Sequence, residues 1–449
     1  MSSRSAGSAR FEPASGLRGE LRAPPDKSIS HRAALLGGFG SGTTRISRYL
    51  DSADTRSTLG AVEALGARVD ILSAEAGGLE VEIAGFGLRG AAQPRGPIDV
   101  GNAGTLIRLV VGLLAGQEGR RFTLDGDDSI RRRPMARVTR PLVRMGAKIL
   151  ASDDDHAPLI IDGQPLQASE HRLTVASAQV KSCLLLAGLL ATDGPTTVHE
   201  PAETRDHTER MLRAAGVRVS VARESGIPTD PAPGEIAVEP ADQLVLPGLS
   251  VPGDPSSAAF HIVAGLITGH SDVRVRGVGL NPTRIGLLGI LNRMGANIEV
   301  TEDSHEAGEP VGSVRARPGS LRGARVVPAE IALAIDELPL VGLLGCFAEG
   351  ETVVTGAEEL RHKESDRIAG VVDALRAMGG EAEALEDGFV VTGTGGLRGG
   401  VIDSRGDHRL AMLGAVAGLA SREGVMVEGF DAAGVSYPGF EADLRSLVP

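Results

Sequence analysis

Polar or glycine-rich segments that lead into apolar runs recur along the whole chain. Each junction predicts the first turn of a helix rich in Ala, Leu and Gly, followed by a short turn and a strand. Successive junctions lie roughly 70 to 85 residues apart, a spacing far longer than the period of a solenoid repeat. The junctions are residues 26–28, 101–105, 176–179, 253–257, 336–339 and 406–409.

A second signal has the same period. A glycine follows the end of each apolar helical run and precedes an alternating strand, which is typical of the left-handed C′ position after a helix. These glycines are Gly66, Gly146, Gly216, Gly295 and Gly379. We therefore expect six copies of one α/β unit, with the sixth helix end in the last residues before Pro449.

The first junction also carries charge. Lys27, Ser28 and Arg32 are predicted to gather around a helix start that Asp26 or Ser28 can cap. Free backbone N–H groups and the helix dipole favour an anion there, so a phosphate or carboxylate would bind well. A capped helix with a solvated Lys and Arg explains this stretch equally well when it is taken alone.

Composition indicates two domains. A chain of 449 residues, 42% of them hydrophobic, is too long for one ordinary core, so the six units are expected to divide as three and three. The net charge of −12 argues against nucleic acid as a partner. Because Trp is absent and only nine Phe and two Tyr are present, the core has to be built from Ala, Val, Leu and Ile, with 61 glycines allowing close helix packing.

Turn residues predict the boundaries. We expect a hinge at Pro247 and Gly248, a long surface loop at the Pro/Gly-rich residues 226–234, and a strand at residues 16–23 that returns to the last domain. The predicted segments are a disordered tail over 1–15, a first domain over 25–247, and a second domain made of 16–24 and 248–449.

The sequence argues against several kinds of site. Cys183 and Cys346 lie inside apolar runs without a CxxC pair, and the ten histidines lack ligand spacing, so neither a disulfide scaffold nor a metal is expected. There is no phosphate loop for ATP, and the glycine-rich residues 393–400 lead into a strand pattern. No apolar run reaches the roughly 18 residues of a membrane span, and a signal-peptide core is missing, so we expect a cytoplasmic protein.

Two arginine-bearing segments have a plain and a functional interpretation. Residues 131–133 are three arginines before Pro134, which is expected to start a helix; solvated charge is the default, and one arginine aimed into a cleft would clamp a carboxylate or phosphate. Residues 204–209 are predicted to be an N-capped helix start, ordinary except for Arg205.

Residues 359–368 carry the densest charge in the chain. Read as a helix, they place Lys363 and Arg367 on one face, with Glu364 about 100° away. A solvated, salt-bridged helix is the alternative interpretation. Asp336, which precedes this segment, opens an apolar run, where N-capping is the plain role.

Seven motifs in one order and spacing resemble those of 5-enolpyruvylshikimate-3-phosphate (EPSP) synthases, from about residue 16 onward. Each motif is weak alone, whereas all seven in register are highly specific. The resemblance implies two inside-out α/β barrel domains, each of three βαβαββ units, which close over the substrates. The motifs are Asp26-Lys27-Ser28-Ile29-Ser30-His31-Arg32, Gly101-Asn102-Ala103-Gly104-Thr105, Arg133-Pro134-Met135, Ser177-Ala178-Gln179, Asp336-Glu337, Lys363-Glu364-Ser365-Asp366-Arg367 and Asp407-His408-Arg409.

The resemblance also implies a reaction. The enolpyruvyl group of phosphoenolpyruvate (PEP) moves to the 5-hydroxyl of shikimate 3-phosphate, a step of chorismate and aromatic amino acid biosynthesis, and phosphate leaves without a metal or organic cofactor. By matching position, Asp336 accepts the hydroxyl proton, and Glu364 and Lys27 are the alternatives for proton transfer at C3 of PEP. The two small-molecule substrates are the expected partners of a monomer.

Matching positions assign the substrate sites as well. Because two multiply charged anions repel each other, binding them together requires a concentration of cations. PEP is expected to be held by Lys27, Gly104, Arg133, Gln179, Arg367 and Arg409. Shikimate 3-phosphate is expected to be held by Lys27, Ser28, Arg32, Ser177, Gln179, Asp336 and Lys363, with Arg205 as an addition.

The chain departs from the commoner pattern of the family at three positions. His31 replaces Asn, Ala178 replaces a second Ser, and Val435 replaces a Lys near the PEP phosphate, so one phosphate contact is in doubt. The motifs at 177–179 and 204–209 resemble the branch known for glyphosate tolerance, but Gly104 stands where tolerant members often carry Ala. We expect less tolerance than the resemblance to that branch implies, with Val435 and other differences able to shift it. The alternative role of Gly104 is that of a turn glycine that needs positive φ.

Two other functions are the alternatives to this one. UDP-N-acetylglucosamine enolpyruvyl transferases share the fold and the donor but use a reactive cysteine on a mobile loop, whereas the apolar flanks of Cys183 and Cys346 are typical of packing cysteines. A non-catalytic anion-binding protein of the same fold would lack Asp336 or Glu364, and both are present.

The distribution of the cations predicts closure. Lys27 and Arg133, together with Ser177, precede the expected hinge, and Lys363, Arg367 and Arg409 follow it. Binding of shikimate 3-phosphate and PEP should therefore draw the domains together and reduce the radius of gyration measured by small-angle X-ray scattering. An unchanged radius at saturating ligand would contradict this prediction.

Overall fold

The computed structural model describes residues 7–75, 77–153, 155–223, 233–306 and 308–449. They form two compact units. The N-terminal unit is Pro25–Pro252 with the described part of Glu306–Glu309. The C-terminal unit is the described part of Met1–Pro24 with Gly253–His305 and Pro310–Pro449. Of the loop predicted over 226–234, residues 226–232 lie outside the described residues.

The strands are short and recur along the chain. They are β1 Ala9–Phe11, β2 Arg18–Arg22, β3 Thr43–Tyr49, β4 Arg68–Glu75, β5 Gly78–Ala84, β6 Ile98–Asp99, β7 Arg121–Asp125, β8 Lys148–Ser152, β9 His156–Asp162, β10 Glu170–Arg172, β11 Thr196–Glu200, β12 Val219–Arg223, β13 Gly234–Val238, β14 Leu249–Ser250, β15 Asp272–Gly279, β16 Asn297–Glu306, β17 Glu309–Arg317, β18 Arg325–Val326, β19 Glu351–Val354, β20 Glu381–Ala384, β21 Phe389–Thr392, β22 Gly400–Asp403 and β23 Val425–Glu428.

The helices alternate with these strands. They are α1 Lys27–Gly38, α2 Ala53–Ala64, α3 Gly104–Ala115, α4 Asp128–Arg131, α5 Ala136–Arg144, α6 Ala178–Gly188, α7 His207–Ala214, α8 Pro255–Ile267, α9 Gly286–Arg293, α10 Pro328–Ala334, α11 Leu338–Gly345, α12 Arg367–Ala377, α13 His408–Ala420 and α14 Phe440–Ser446, with 3₁₀ turns at Glu358–His362 and Phe430–Val435. None of the described helices has the length and apolar character needed to cross a bilayer.

One sheet pattern repeats in the N-terminal unit. Its three sheets have the orders β14-β3-β5-β4, β6-β7-β9-β8 and β10-β11-β13-β12. In each, the first two strands are parallel and the remaining neighbours are antiparallel. The same strand order therefore occurs three times, and the first sheet takes its edge strand β14 from the end of the unit, at Leu249–Ser250.

The C-terminal unit continues the pattern with the orders β16-β17-β15-β2, β18-β19-β21-β20 and β1-β23-β22. Its parallel pairs are β2 with β15, β18 with β19, and β22 with β23. The strand predicted over 16–23 is thus β2, which lies beside a strand some 250 residues later in the sequence. The predicted α/β class and six-fold pseudo-repeat are confirmed.

The disordered tail predicted over 1–15 is wrong for the residues of β1. Ala9 and Phe11 pair antiparallel with Val427 and Val425 of β23, and Phe11 is 1% exposed, with its ring 5.0 Å from that of Phe430. The last repeat ends in α14 and supplies no antiparallel strand of its own after β23. The segment at the other end of the chain occupies that position.

Small residues set the helix spacing inside each unit. A Cβ added at Gly112 of α3 would lie 2.3 Å from the carbonyl oxygen of Cys183 in α6, so only glycine allows these two buried helices to approach this closely. The predicted C′ glycines are also confirmed, with positive φ at every one of the five positions. Each unit has its own apolar core, dominated by Ala, Val, Leu and Ile.

The position of β1 generates a stability prediction. Phe11→Ala should lower the free energy of unfolding by about 3–5 kcal/mol, because it leaves a cavity beside the Phe430 ring. Urea denaturation measured by circular dichroism checks this value. Glu12→Ala, which changes an exposed neighbour, is the control and should shift it by no more than about 0.5 kcal/mol. Equal effects of the two substitutions would mean that β1 does not stabilise the fold.

Candidate active site

The first helix start of the N-terminal unit is held by two carboxylates. Asp26 caps α1, since its Oδ1 accepts from the N–H of Ile29 at 2.8 Å. The Nζ of Lys27, the first residue of α1, lies 3.0 Å from Oδ2 of Asp54 in the first turn of α2. Lys27 is therefore paired at its helix start, which the sequence did not show.

Arg32 is only 4% exposed, so the solvated-charge interpretation of this arginine is wrong. Its Nε donates to Oγ1 of Thr208 at 2.7 Å, and its Nη2 donates to Oγ of Ser182 at 2.9 Å. Its Nη1 donates to the carbonyl of Ser28 at 3.0 Å. One guanidinium thereby joins α1 to the early turns of α6 and α7.

A second group of side chains surrounds the start of α3. A Cβ at Gly104 would lie 2.5 Å from Nη1 of Arg133 and 3.2 Å from Nη1 of Arg108. Arg108 donates to Oε1 of Gln179 at 2.9 Å, and Nε2 of Gln179 donates to Oγ1 of Thr105 at 3.1 Å. The structure thus brings Gly104, Arg133 and Gln179 together, as the resemblance implies, and adds Arg108.

The turn-glycine interpretation of Gly104 is wrong, since its backbone lies outside the left-handed region that Gly101 occupies with φ of 56°. The helix start predicted at Pro134 is also wrong, because α5 begins at Ala136. Arg131 forms an ion pair with Asp125 at 2.7 Å. Arg133 is the one of the three arginines whose guanidinium lies beside Gly104.

The other predicted residues of this unit lie at helix starts. Ser177 caps α6 through a long bond of 3.5 Å from the N–H of Val180. Arg205 is partly buried and lies in the connection between β11 and α7. The helix start predicted within 204–209 is α7, whose N-cap residue is Asp206 without a capping side-chain bond, and the Thr204 hydroxyl donates to Oε2 of Glu200 at 2.6 Å.

In the C-terminal unit, Arg367 organises the site. It is 1% exposed, and its Nε donates to Oδ2 of Asp407 at 2.8 Å. Its Nη2 donates to Oε2 of Glu364 at 2.5 Å, and its Nη1 to Oδ1 of Asp336 at 3.3 Å. These carboxylates lie just before or at the starts of α11, α12 and α13, so one cation holds three helix starts together.

The electrostatics of this cluster are dominated by the buried charge. Burial by itself lowers the pKa of Arg367, but Asp407, Glu364 and Asp336 outweigh it and raise the pKa above its ordinary value. Burial raises the pKa of Asp407, and Arg367 with His408 reverses that shift and lowers it. Arg367 therefore stays a cation and Asp407 an anion at neutral pH.

Asp336 faces two further cations. Nζ of Lys363 lies 3.7 Å from its Oδ1, and Nη2 of Arg409 lies 3.8 Å from its Oδ2. Arg409 also donates through Nη1 to the carbonyl of Asp336 at 2.8 Å. N-capping of α11 by Asp336 is wrong, because the N-cap residue is Glu337.

The helix predicted over 359–368 is wrong. A 3₁₀ turn covers Glu358–His362, Lys363 is extended, and α12 begins only at Arg367, after Asp366 caps it by accepting from the N–H of Ala369. Lys363 and Arg367 consequently meet at Asp336, and not as neighbours on one helix face.

One group resembles a set of metal ligands. Asp206, His207 and Glu309 offer ligand atoms within 4.8 Å of one another. Arg210 contacts both carboxylates, at 2.9 Å from Oδ1 of Asp206 and 3.7 Å from Oε2 of Glu309, while Nδ1 of His207 lies 2.8 Å from Oε1 of Glu309. The positive charge between these carboxylates is thus supplied by the protein itself.

Comparisons with known proteins extend over the same residues. The family model described as EPSP synthase (3-phosphoshikimate 1-carboxyvinyltransferase) matches residues 11–444. The 3-phosphoshikimate 1-carboxyvinyltransferase of Prochlorococcus marinus (strain MIT 9303) is 46% identical over 433 residues, which are 96% of this chain and 96% of that protein. The enzyme of the same name from Methylococcus capsulatus is 46% identical over 97% of this chain and 96% of its own length.

A solved structure agrees with these sequence matches. The EPSP synthase of Acinetobacter baumannii has a TM-score of 0.84 and 38% identity, and the match covers 98% of both chains. Since the sequence and structural similarities both extend over nearly the whole chain, it belongs to the EPSP synthase family and transfers the enolpyruvyl group of PEP to shikimate 3-phosphate.

Proposed function

We propose that Asp336 accepts the proton of the 5-hydroxyl of shikimate 3-phosphate as that oxygen attacks C2 of PEP. The observation that carries this role is the convergence of Arg367, Lys363 and Arg409 on the Asp336 carboxylate. These cations fix the orientation of the carboxylate, and a general base has to be held within hydrogen-bond reach of the proton that it accepts. Lys363 would also contact shikimate 3-phosphate.

Proton transfer at C3 of PEP has two candidates. Glu364 is held by Arg367, and Lys27 is held by Asp54, so each is fixed by an oppositely charged neighbour. Protonation at C3 makes C2 electrophilic, and the tetrahedral adduct then loses a proton and phosphate. We propose that this transfer uses one or both of these groups.

The remaining cations are proposed to bind the anionic substrates. Charged hydrogen bonds to phosphate and carboxylate groups are strong, and arginine offers them in pairs. For PEP the proposed groups are Lys27, Gly104, Arg133, Gln179, Arg367 and Arg409. For shikimate 3-phosphate they are Lys27, Ser28, Arg32, Ser177, Gln179, Asp336, Lys363 and Arg205.

The two cysteines favour shikimate 3-phosphate over UDP-N-acetylglucosamine as the acceptor of the enolpyruvyl group. Burial raises the pKa of the Cys346 thiol to about 12, and it raises the pKa of Cys183 still further, so neither is a reactive thiolate. Phosphate release from PEP, measured with shikimate 3-phosphate and with UDP-N-acetylglucosamine as acceptor, tests the choice directly. We propose a cytoplasmic monomer, on the family resemblance; sedimentation equilibrium tests the monomer.

Asp336→Asn tests the base. The substitution keeps the shape of the side chain but removes the proton acceptor, so kcat should fall by about 10²–10⁴-fold while the KM for shikimate 3-phosphate changes little. Steady-state kinetics with both substrates measures this. Asp373→Asn, at an exposed ion pair with Arg405, is the matched control and should keep normal turnover. Near-normal kcat for Asp336→Asn would reject the assignment.

Gly104→Ala tests the PEP end of the site. The new methyl meets the flexible end of Arg133, so the guanidinium has to move while the fold is kept. We expect the inhibition constant for glyphosate to rise more than the KM for PEP, because glyphosate is slightly longer and has less spare volume. Both constants come from the same phosphate-release assay.

Gly101→Ala is the control for backbone strain. Its positive φ predicts a loss of about 1–2 kcal/mol in unfolding free energy, which Gly104→Ala should not show. Equal rises in the glyphosate and PEP constants of Gly104→Ala, or a loss of stability matching that of Gly101→Ala, would refute the steric explanation.

A further inference from the structure

Lys181 is a lysine with no exposure to solvent. It lies on α6, one turn after Ser177, and its side chain is 0% exposed. An ammonium group is costly to bury unless it is paired and hydrogen-bonded, and an apolar side chain of similar length would fill the same space without that cost. The charge at this position therefore requires an explanation.

The ammonium group of Lys181 contacts three oxygen atoms from one connection of the chain. Its Nζ lies 2.9 Å from Oε2 of Glu200 at the end of β11 and 2.8 Å from Oε1 of Glu209 in α7. It also donates to the carbonyl of Thr204, at 3.3 Å, between those two elements. The contact with Thr204 is a hydrogen bond, and the two contacts with the glutamates are ion pairs.

The Lys181 side chain thus contacts the connection at both of its ends, Glu200 and Glu209, and at Thr204 between them. The Thr204 hydroxyl adds a bond to Glu200, and Arg223 lies 3.2 Å from the other oxygen of Glu200. Arg205 follows Thr204 directly and is partly buried. Arg205 thus lies within a segment that Lys181 contacts at Glu200, Thr204 and Glu209.

We propose that Lys181 is a positioning residue for shikimate 3-phosphate. By holding Glu200, Thr204 and Glu209, it fixes the backbone that carries Arg205. This inference rests on the proposed function of Arg205 in binding that substrate. Because Lys181 has no role in the chemical step, its loss should weaken binding of shikimate 3-phosphate and leave kcat and the KM for PEP almost unchanged.

Two variants test the proposal. Lys181→Met removes the cation and leaves the Glu209 carboxylate buried without its ion-pair partner, so this variant should have a lower unfolding free energy. Lys181→Met/Glu209→Gln removes both charges, and Glu200 keeps Arg223. In both, we expect the KM for shikimate 3-phosphate to rise about tenfold, with kcat and the KM for PEP within about twofold of wild type. Lys148→Met, on the exposed side of β8, is the matched control and should change nothing.

A double-mutant cycle with Arg205→Ala separates positioning from a general structural role. If Lys181 acts through Arg205, adding Lys181→Met/Glu209→Gln to Arg205→Ala raises the KM no further. Three results would overturn the proposal. The increases in the KM for shikimate 3-phosphate could multiply when the substitutions are combined, the Lys181 variants could leave this KM unchanged, or they could lower only the melting temperature and kcat. If Arg205→Ala itself leaves the KM unchanged, the role proposed for Arg205 fails, and the proposal for Lys181 fails with it. If only Arg205→Ala raises the KM, the Lys181 proposal alone fails.

Discussion

A buried cation has to be paired with carboxylates inside the protein, and each unit contains such a cation: Lys181 in the N-terminal unit and Arg367 in the C-terminal unit. In the C-terminal unit, Arg367 is enclosed by Asp336, Glu364 and Asp407, which belong to three separate helix starts. None of these starts can shift without exposing an unpaired charge to an apolar surrounding, which is far more costly than the loss of an ordinary contact. The carboxylates proposed for catalysis are therefore held in place by the cation proposed to bind PEP.

Local signals in the sequence predicted much of the fold. The six-fold period, the C′ glycines and the close packing of glycine-bearing helices each depend on a few neighbouring residues, and each was confirmed. The motifs at Gly104, Arg133 and Gln179 likewise gave a set of residues that the structure brings together. Such features are readable because backbone conformation and helix capping are decided within a turn or two.

Features set by distant residues were not predictable in this way. Charge spacing at 359–368 indicated a helix. In the structure Lys363 has an extended backbone and its ammonium group lies near Asp336, while Arg367 is the first residue of α12 and pairs with Asp407. Arg108 and Asp54 looked like ordinary helix residues, because their partners lie in other repeats or elements. Lys181 offered one signal, a lone cation in an apolar helix, whose meaning depends on carboxylates outside that helix.

The strands β1 and β2 have a consequence for the order of folding during synthesis. The N-terminal unit is nearly continuous in sequence, so most of its contacts become available once residue 252 has been made. The sheet of β1 needs β23, which is translated more than 400 residues later, and β2 waits for β15. Contacts of such long sequence separation form slowly, and domains made first generally fold first. The strand β1 therefore waits for its partner until almost all of the described chain has been made, and until then Phe11 lacks the apolar contacts that bury it.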